Sequence, residues 1–285
     1  MTILELIQKT TPFFEKAGVP TPRLDVELLL AHVLGLRRMD LYVQFERALT
    51  EPDLDRLRPL VKRRAAREPL QHIVGTIEFC GVILASDKRA LVPRHETELL
   101  VERALALLPG DQATTVLDLG TGAGVIAIAL LAARPSWRAV ATDISTEALA
   151  LARENAERAK VADRIEFRNG DLLSILKEGE IFELVTSNPP YIPTATIPGL
   201  QIEVHDHEPK IALDGGTDGL DLVRRLVAGA PRFLRGGGAL LIEIGHDQAD
   251  AVTALLKHGG WSDVAFTPDL QGHRRIAEAR KAGGL

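Results

Sequence analysis

Ser187-Asn188-Pro189-Pro190-Tyr191-Ile192 brings together a planar amide, two prolines and an aromatic ring just after the apolar run Ile181-Phe182-Glu183-Leu184-Val185-Thr186. Each proline fixes φ and lacks an N–H, and each keeps the residue before it out of the helical region, so a strand must end here in an extended turn. The carbonyls of such a turn do not pair easily into a ladder. Together with the Asn188 side-chain oxygen they are acceptors, and Tyr191 sets a π face beside them. That combination suits holding a flat nitrogen group. It is also what a plain strand-ending loop contains.

Other strand ends separate the two readings. Thr115-Val116-Leu117-Asp118-Leu119 runs into Gly120-Thr121-Gly122-Ala123-Gly124 and then the apolar stretch Val125 to Ala133. Strand, glycine turn and helix form a nucleotide-binding arrangement, because glycines let the backbone approach a ligand and a helix start offers unpaired N–H groups. The glycines lack the Gly-x-Gly-x-x-Gly spacing of dinucleotide folds, and no Lys-Ser/Thr follows as in a phosphate loop, which points to a nucleoside without a pyrophosphate. Asp143 ends the next strand, Ala139 to Thr142, and is placed to accept both ribose hydroxyls. Asp118 could meet an ammonium group or order the loop. Gly170-Asp171-Leu172 follows the strand Arg164 to Arg168, at the position for an adenine edge and face. Each acid alone is an ordinary turn residue; at successive strand ends beside a glycine loop they outline a nucleoside site next to Asn188.

The elements that position these groups read as an N-terminal helical region followed by an α/β domain. Ile3, Leu4, Ile7, Phe13 and Phe14 give one apolar stripe, and Val26, Leu28, Leu29, Leu30, Val33 and Leu34 give another, separated by Gly18-Val19-Pro20. Gly35 is a C-cap candidate, and Thr50-Glu51-Pro52-Asp53 starts a further helix. His32, on an apolar face, reads as a core histidine. From Pro69 to Val92 the period shortens around Gly75 and Gly81, as in a β-hairpin. The spacing therefore predicts a helical docking domain over 1–70, a hairpin joint over 71–92 and a catalytic domain over 93–285. His95-Glu96-Thr97-Glu98 opens a helix as a solvated acidic first turn; adjacent residues there do not converge on one ion, so no metal is expected. The span Pro193 to Asp218 has no clear periodicity and reads as a substrate-facing loop, with His205 and His207 as loop residues rather than general bases. Strands at 239–244, 263–266 and 275–279 complete a sheet with helices on both faces, and Lys281 to Leu285 is expected to fray.

With 285 residues, 46% hydrophobic and 26% charged, the chain has a globular composition. A net charge of -5 and a pI near 5.9 argue against binding nucleic acid mainly through phosphates. Cys80 is the sole cysteine, so no intrachain disulfide can form, and it reads as a packed apolar residue of a reducing compartment. No apolar run is long enough for a bilayer, and the N-terminus lacks a basic region followed by an apolar run; a cytoplasmic monomer is expected.

The motif set Asp118 to Gly124, Asp143, Asp171 and Asn188-Pro189-Pro190-Tyr191 resembles the seven-stranded S-adenosylmethionine-dependent methyltransferases that act on planar nitrogen. Arg23-Leu24-Asp25, Pro69 to Gly75, Phe79-x-Gly81 and Leu91 to Glu98 narrow the resemblance to the HemK (PrmC) family of release factor glutamine N5-methyltransferases, nearly end to end. His95 stands where a second Pro is usual, His72 where Tyr is common, and Leu172 where relatives can carry an aromatic residue against adenine. The resemblance implies a Rossmann-like class I fold, S-adenosylmethionine as donor and S-adenosylhomocysteine as product. It implies donor contacts at Gly120, Thr121, Gly122, Ala123, Gly124, Asp143, Asp171, Leu172 and Asn188, with no metal. The acceptor would lie against Asn188, Pro189, Pro190 and Tyr191, with Asn188, Pro189 and Tyr191 catalytic. By the same resemblance the acceptor is the Gln of the Gly-Gly-Gln motif of peptide chain release factors, gripped elsewhere by the helical region. A ribosomal-protein glutamine remains a rival acceptor, and so does an adenine amine, reached by base flipping.

Overall fold

The computed structural model describes residues 1–110 and 112–283. Its chain divides into two units, Met1–Thr76 with Leu200–His207, and Ile77–Gly199 with Glu208–Leu285.

The first unit is helical: α1 (Ile3–Lys16), α2 (Pro22–Leu34), α3 (Arg38–Tyr42), α4 (Glu51–Ala65) and α5 (Leu70–Val74). Thr2 and Thr50 cap α1 and α4 through reciprocal bonds with Glu5 and Asp53, satisfying amides that a helix start leaves unpaired. Gly35 ends α2 with φ +63, a conformation open to glycine at no steric cost. Ile3, Ile7, Phe14, Val26, Leu29, Leu30 and Leu57 form the core. His32 faces solvent, so its place in the pattern reflects a solvated position on α2 and not the core. The stretch expected to be all hairpin begins instead with α5, closed by Gly75 at φ +78.

The second unit opens with the two-stranded hairpin of β1 (Thr76–Phe79) and β2 (Val82–Ala85). Cys80 sits exposed at its turn with φ +47, not packed inside; partial desolvation, with Glu98 and Glu102 nearby, pushes its thiol up to about 12. After α6 (His95–Leu107) come β3 (Thr115–Leu119), α7 (Val125–Ala133), β4 (Arg138–Asp143), α8 (Thr146–Arg158), β5 (Ile165–Asn169) and β6 (Phe182–Ser187). The remainder supplies α9 (Ile202–His205), α10 (Asp221–Gly229), β7 (Leu234–Glu243), α11 (Ala249–His258), β8 (Ser262–Pro268) and β9 (Arg274–Arg280), of which α9 belongs to the first unit.

The seven-stranded sheet runs β5-β4-β3-β6-β7-β9-β8, parallel except at β9. Successive side chains of a strand face opposite sides, so Val116, Leu184 and Leu241 enter one core with α6, α7 and α8, while Leu117, Val185 and Leu240 enter the other with α10 and α11. Strands fully covered on both faces read as continuous apolar runs, as these do. The chain leaves β3 toward β4 and β5 on one side and returns to β6 and β7 on the other. Such a switch point opens a crevice at the strands' carboxyl ends.

The 193–218 span has its own one-turn elements, including α9, and is not an irregular loop throughout. Glu203 on it accepts from Arg64 (2.8 Å) and Arg67 (2.6 and 2.7 Å), while Arg64 also donates to Asp25 at 2.6 Å. These buried charges are compensated within the first unit, which is the condition under which burial is tolerated. At the C-terminus, Lys281 is tied down: its N–H donates to the Gly238 carbonyl and its Nζ to the Leu234 carbonyl. Gly284 and Leu285, the end of the stretch expected to fray, lie outside the described residues.

Candidate active site

A cavity of about 600 Å³ opens at the carboxyl ends of β3, β4, β5 and β6. Of the residues expected around a nucleoside, Gly120, Thr121, Gly122, Ala123, Asp143, Asp171, Leu172 and Asn188 line it. Gly120 and Gly122 adopt φ +68 and +55, and a methyl group on either would meet no protein atom within 4 Å. Their backbone therefore forms a wall with open space before it. Gly124 does not line the cavity; a Cβ there would press on Ile128 and Ala152, so this glycine serves the packing of α7 on α8.

Asp118, fully buried, orders the loop, one of the two roles its position suggested. It accepts from Thr121 Oγ1 at 2.6 Å and Thr186 Oγ1 at 2.9 Å, linking the glycine turn to β6. Burial pushes its carboxyl up to about 6, opposed by these hydroxyls and by the Ala127 amide at the start of α7. A carboxylate already occupies part of that helix start, which disfavours a second anion there.

Asp143 accepts from Gly122 N and Ser145 N, each at 2.8 Å, one per carboxylate oxygen. The Ile144 amide also bonds this carboxylate, which leaves it one further lone pair. Burial raises its pKa. Asp171 is half exposed and paired with Arg225 at 2.7 Å. Leu172 follows with φ +50, a strained conformation for a branched side chain, and gives the cavity an apolar surface.

At the end of β6, Asn188 and Pro190 line the cavity, whereas Pro189 and Tyr191 do not. The Tyr191 side chain turns away, its hydroxyl 3.4 Å from Glu243 Oε1. Burial raises the Tyr191 pKa, keeping the phenol neutral. The turn's carbonyls are not all free: Tyr191 O accepts from Gln248 Nε2 at 2.9 Å and Ile192 O from Gly215 N at 2.9 Å. Among the described residues neither Pro189 O nor Asn188 Oδ1 has a partner. Asn188 Nδ2 is engaged instead, donating to Thr97 Oγ1 at 3.0 Å.

Thr97 was expected on a solvated first turn, yet it is buried and donates to Glu243 Oε2 at 2.7 Å. Among the described residues no group of His, Cys, Asp and Glu is arranged to hold a metal ion. Neither His205 nor His207 lines the cavity.

Residues 5–75 match the PrmC N-terminal domain and residues 95–197 the methyltransferase small domain. The chain is 43% identical to the release factor glutamine methyltransferase of Geobacter sulfurreducens over 98% of this chain and 96% of that one. It is 44% identical to the enzyme of the same name from Deinococcus radiodurans over 100% of both chains. The chain belongs to the release factor glutamine methyltransferase family. A Pyrococcus furiosus methyltransferase, 17% identical, has the same fold, with a TM-score of 0.53 over 71% of this chain and 90% of that one.

In this release factor glutamine methyltransferase family member, several residues that shape the site are not part of the motifs read from the sequence. Asn155 on α8 is fully buried and spans the gap between hairpin and glycine loop, accepting from Ala85 N and donating to the carbonyls of Ala85 and Ala123. Arg94 holds Glu208 at 2.8 Å, just before Pro209 to Ala212, which line the cavity. Glu243 and Gln248 brace the turn after Asn188. The visible signal for Glu243 was an acid inside the apolar strand Ala239 to Ile244, where an unpaired charge would be costly. Nothing local marks Asn155 or Gln248.

Proposed function

We propose that this enzyme transfers a methyl group from S-adenosylmethionine to the side-chain amide nitrogen of the Gln in the Gly-Gly-Gln motif of peptide chain release factors. The cavity residues fit such a donor: an open glycine wall, a spare lone pair on Asp143 for a ribose hydroxyl and an apolar side chain at Leu172 for a base. Bound there, the donor supplies a sulfonium methyl group and leaves as S-adenosylhomocysteine.

The observation that carries the acceptor assignment is the Asn188 amide. Its NH₂ is committed to Thr97, so Oδ1 is the atom left to accept, with Pro189 O as a second acceptor on the same turn. Those acceptors match the two N–H bonds of a Gln side-chain amide. An amide nitrogen is a poor nucleophile because its lone pair is delocalised into the carbonyl. Holding both N–H bonds aims the nitrogen and encourages its lone pair out of plane, so orientation and electrostatics do the catalytic work. The methylated nitrogen is strongly acidic and sheds its proton without a dedicated base. Tyr191 then acts from behind, as a support of the turn. The first unit is assigned to gripping another part of the release factor.

The test offers purified release factor, ribosomal protein and DNA with labelled S-adenosylmethionine and locates the methyl group by mass spectrometry. Label on the Gly-Gly-Gln glutamine is expected; label confined to ribosomal protein or to adenine overturns the substrate. Asn188→Ala should fold, still bind donor by calorimetry, and lose at least about 100-fold in turnover, the scale seen when one preorganised transition-state contact is removed. Wild-type turnover would remove Asn188 from the acceptor site.

A further inference from the structure

The proposed acceptor atom depends on a proton inventory that starts at Thr97 on the cavity wall and runs inward from it. Thr97 Oγ1 carries one hydrogen and lies 2.7 Å from Glu243 Oε2 and 3.0 Å from Asn188 Nδ2. An ionised carboxylate can only accept, so Thr97 must donate to Glu243 and must accept from Asn188. Asn188 is thereby compelled to turn its NH₂ toward Thr97 and its Oδ1 the other way. The orientation of this amide is set by chemistry and not only by density of contacts, since a flipped amide would oppose two acceptors. Glu243 Oε1 receives the Tyr191 hydroxyl from the other side, so the same carboxylate braces both ends of the turn.

We propose that Glu243 is a positioning residue for methyl transfer, which in its ionised form fixes the Thr97 hydroxyl and through it the acceptor orientation of Asn188. When Glu243 takes up a proton on Oε2, that proton is donated to Thr97 Oγ1. Thr97 Oγ1 keeps a lone pair for Asn188 Nδ2, but its own hydrogen is released from Glu243 and can turn toward Asn188, so that the amide is no longer held to one orientation. In the flipped orientation the NH₂ of Asn188 faces the cavity, donor against the donor N–H of an incoming amide. No atom is transferred between residues in this change; one proton enters from solvent and two donors reverse direction.

Glu243 is completely buried, and among the described residues it has no ion-pair partner. The groups that act on it are the hydroxyls of Thr97 from α6 and Tyr191 from the turn, Arg275 from β9 and Glu96 from α6. Arg275 is itself engaged by Asp269 at 3.1 Å, which limits what it offers Glu243. Burial pushes the carboxyl up to about 7, so protonated and ionised forms both occur near neutrality. The raised value means that the proton is held below about pH 7 and lost above it, so turnover rises with pH through that point.

The inference rests on the reading of Asn188 as the acceptor, and the experiment separates the two. Single-turnover rates with saturating donor and release factor are measured from about pH 5.5 to 8.5, a window that brackets the carboxyl. The wild type should show an inflection near 7 that Glu243→Gln lacks, because an amide cannot titrate there; any contribution of Asp118, raised to about 6, is the same in both proteins. Thr97→Val should lose about tenfold above the inflection, the equivalent of one hydrogen bond, and should lack the inflection itself because the link to Glu243 is gone, whereas Thr97→Ser, which keeps the hydroxyl, should recover most of the rate and the inflection. Donor binding by calorimetry should be retained throughout, which a general collapse of the site would not allow. An inflection retained in Glu243→Gln, or a wild-type rate in Thr97→Val, overturns the positioning role even where Asn188→Ala is dead. Full activity in Asn188→Ala overturns the acceptor reading instead. Should Glu243→Gln fail to fold, the Val and Ser pair at Thr97 decides alone.

Discussion

The ends of β3 and β6 are neighbours, paired at Leu119 with Ser187, yet they are built in opposite ways. After β3 most of the shape is local: alternate residues Gly120, Gly122 and Gly124 take positive φ, and Asp118 and Thr121 close the turn within three residues, with Thr186, Asp143 and Asn155 tying it to its surroundings. After β6 the shape is imposed from outside. Prolines stiffen the turn, while Thr97, Glu243, Gln248, Gly215 and Gly219 hold its side chains and carbonyls. The difference suits their proposed tasks. A donor pocket needs open backbone, whereas an acceptor must be held to within a fraction of an ångström and therefore needs a supporting shell.

The largest break in this contrast should come from a glycine that touches no ligand. Gly219 has φ +77, and a Cβ there would stand 2.2 Å from Tyr191 O, 2.6 Å from Gln248 Nε2 and 3.0 Å from the Tyr191 carbonyl carbon. Backbone cannot swing aside as a long side chain would. Gly219→Ala should cost about 2–4 kcal/mol in urea unfolding and abolish measurable turnover, combining left-handed strain with overpacking. Gly122→Ala makes the matching control, with strain but open space, and should keep the fold while weakening donor binding. Equal effects of the two on turnover at saturating donor would erase the distinction between the strand ends.

The same contrast explains what could be read in advance. The glycine loop, the strand-end acids and Asn188-Pro189-Pro190-Tyr191 obey local backbone rules, so sequence reveals them, and the apolar runs of buried parallel strands reveal the sheet. Thr97 and Glu243 reach each other across 146 positions, and Gln248 reaches Tyr191 across 57; no periodicity marks such pairs. Thr97 was misread because His95, in the same first turn, does face solvent. The elements of 193–218 were missed because each is a single turn, shorter than any repeat of a helical pattern. Asp118 allowed two roles from its position, and only its contacts with Thr121 and Thr186 select between them.

A smaller effect should expose the cost of the self-made strand end. Asp118 is fully buried and pushed from 3.8 to about 6, so the folded protein holds this proton more tightly than the unfolded chain. Its contribution to stability is complete below about pH 4 and is lost as pH rises through about 6. Between pH 4 and 7 the wild type should therefore lose about 3 kcal/mol relative to Asp118→Asn, measured by urea denaturation at each pH. Asp143 and Glu208 are raised by burial too, but they are common to both proteins and cancel in the difference. Parallel stability curves would show that the hydroxyls of Thr121 and Thr186 outweigh desolvation, and the glycine turn would then carry no electrostatic penalty.

The smallest effect concerns the outermost brace of the β6 turn. Gln248 immediately precedes α11 and is buried, with Oε1 accepting from Gly245 N at 2.8 Å and Nε2 donating to Tyr191 O at 2.9 Å and Gly219 O at 3.3 Å. Gln248→Ala leaves the Tyr191 carbonyl without its donor, but that carbonyl stays covalently fixed between prolines and the ladder formed by Ile192 with Leu213 and Gly215. A loss of about 1–2 kcal/mol is expected, as for one buried hydrogen bond, together with a fall of roughly threefold in turnover. Because Gln248 touches neither the glycine loop nor Asp143, the donor dissociation constant should not move. A variant that weakened donor binding while sparing turnover would mean that the two strand ends share a single support, and that the independence argued from their contacts does not hold.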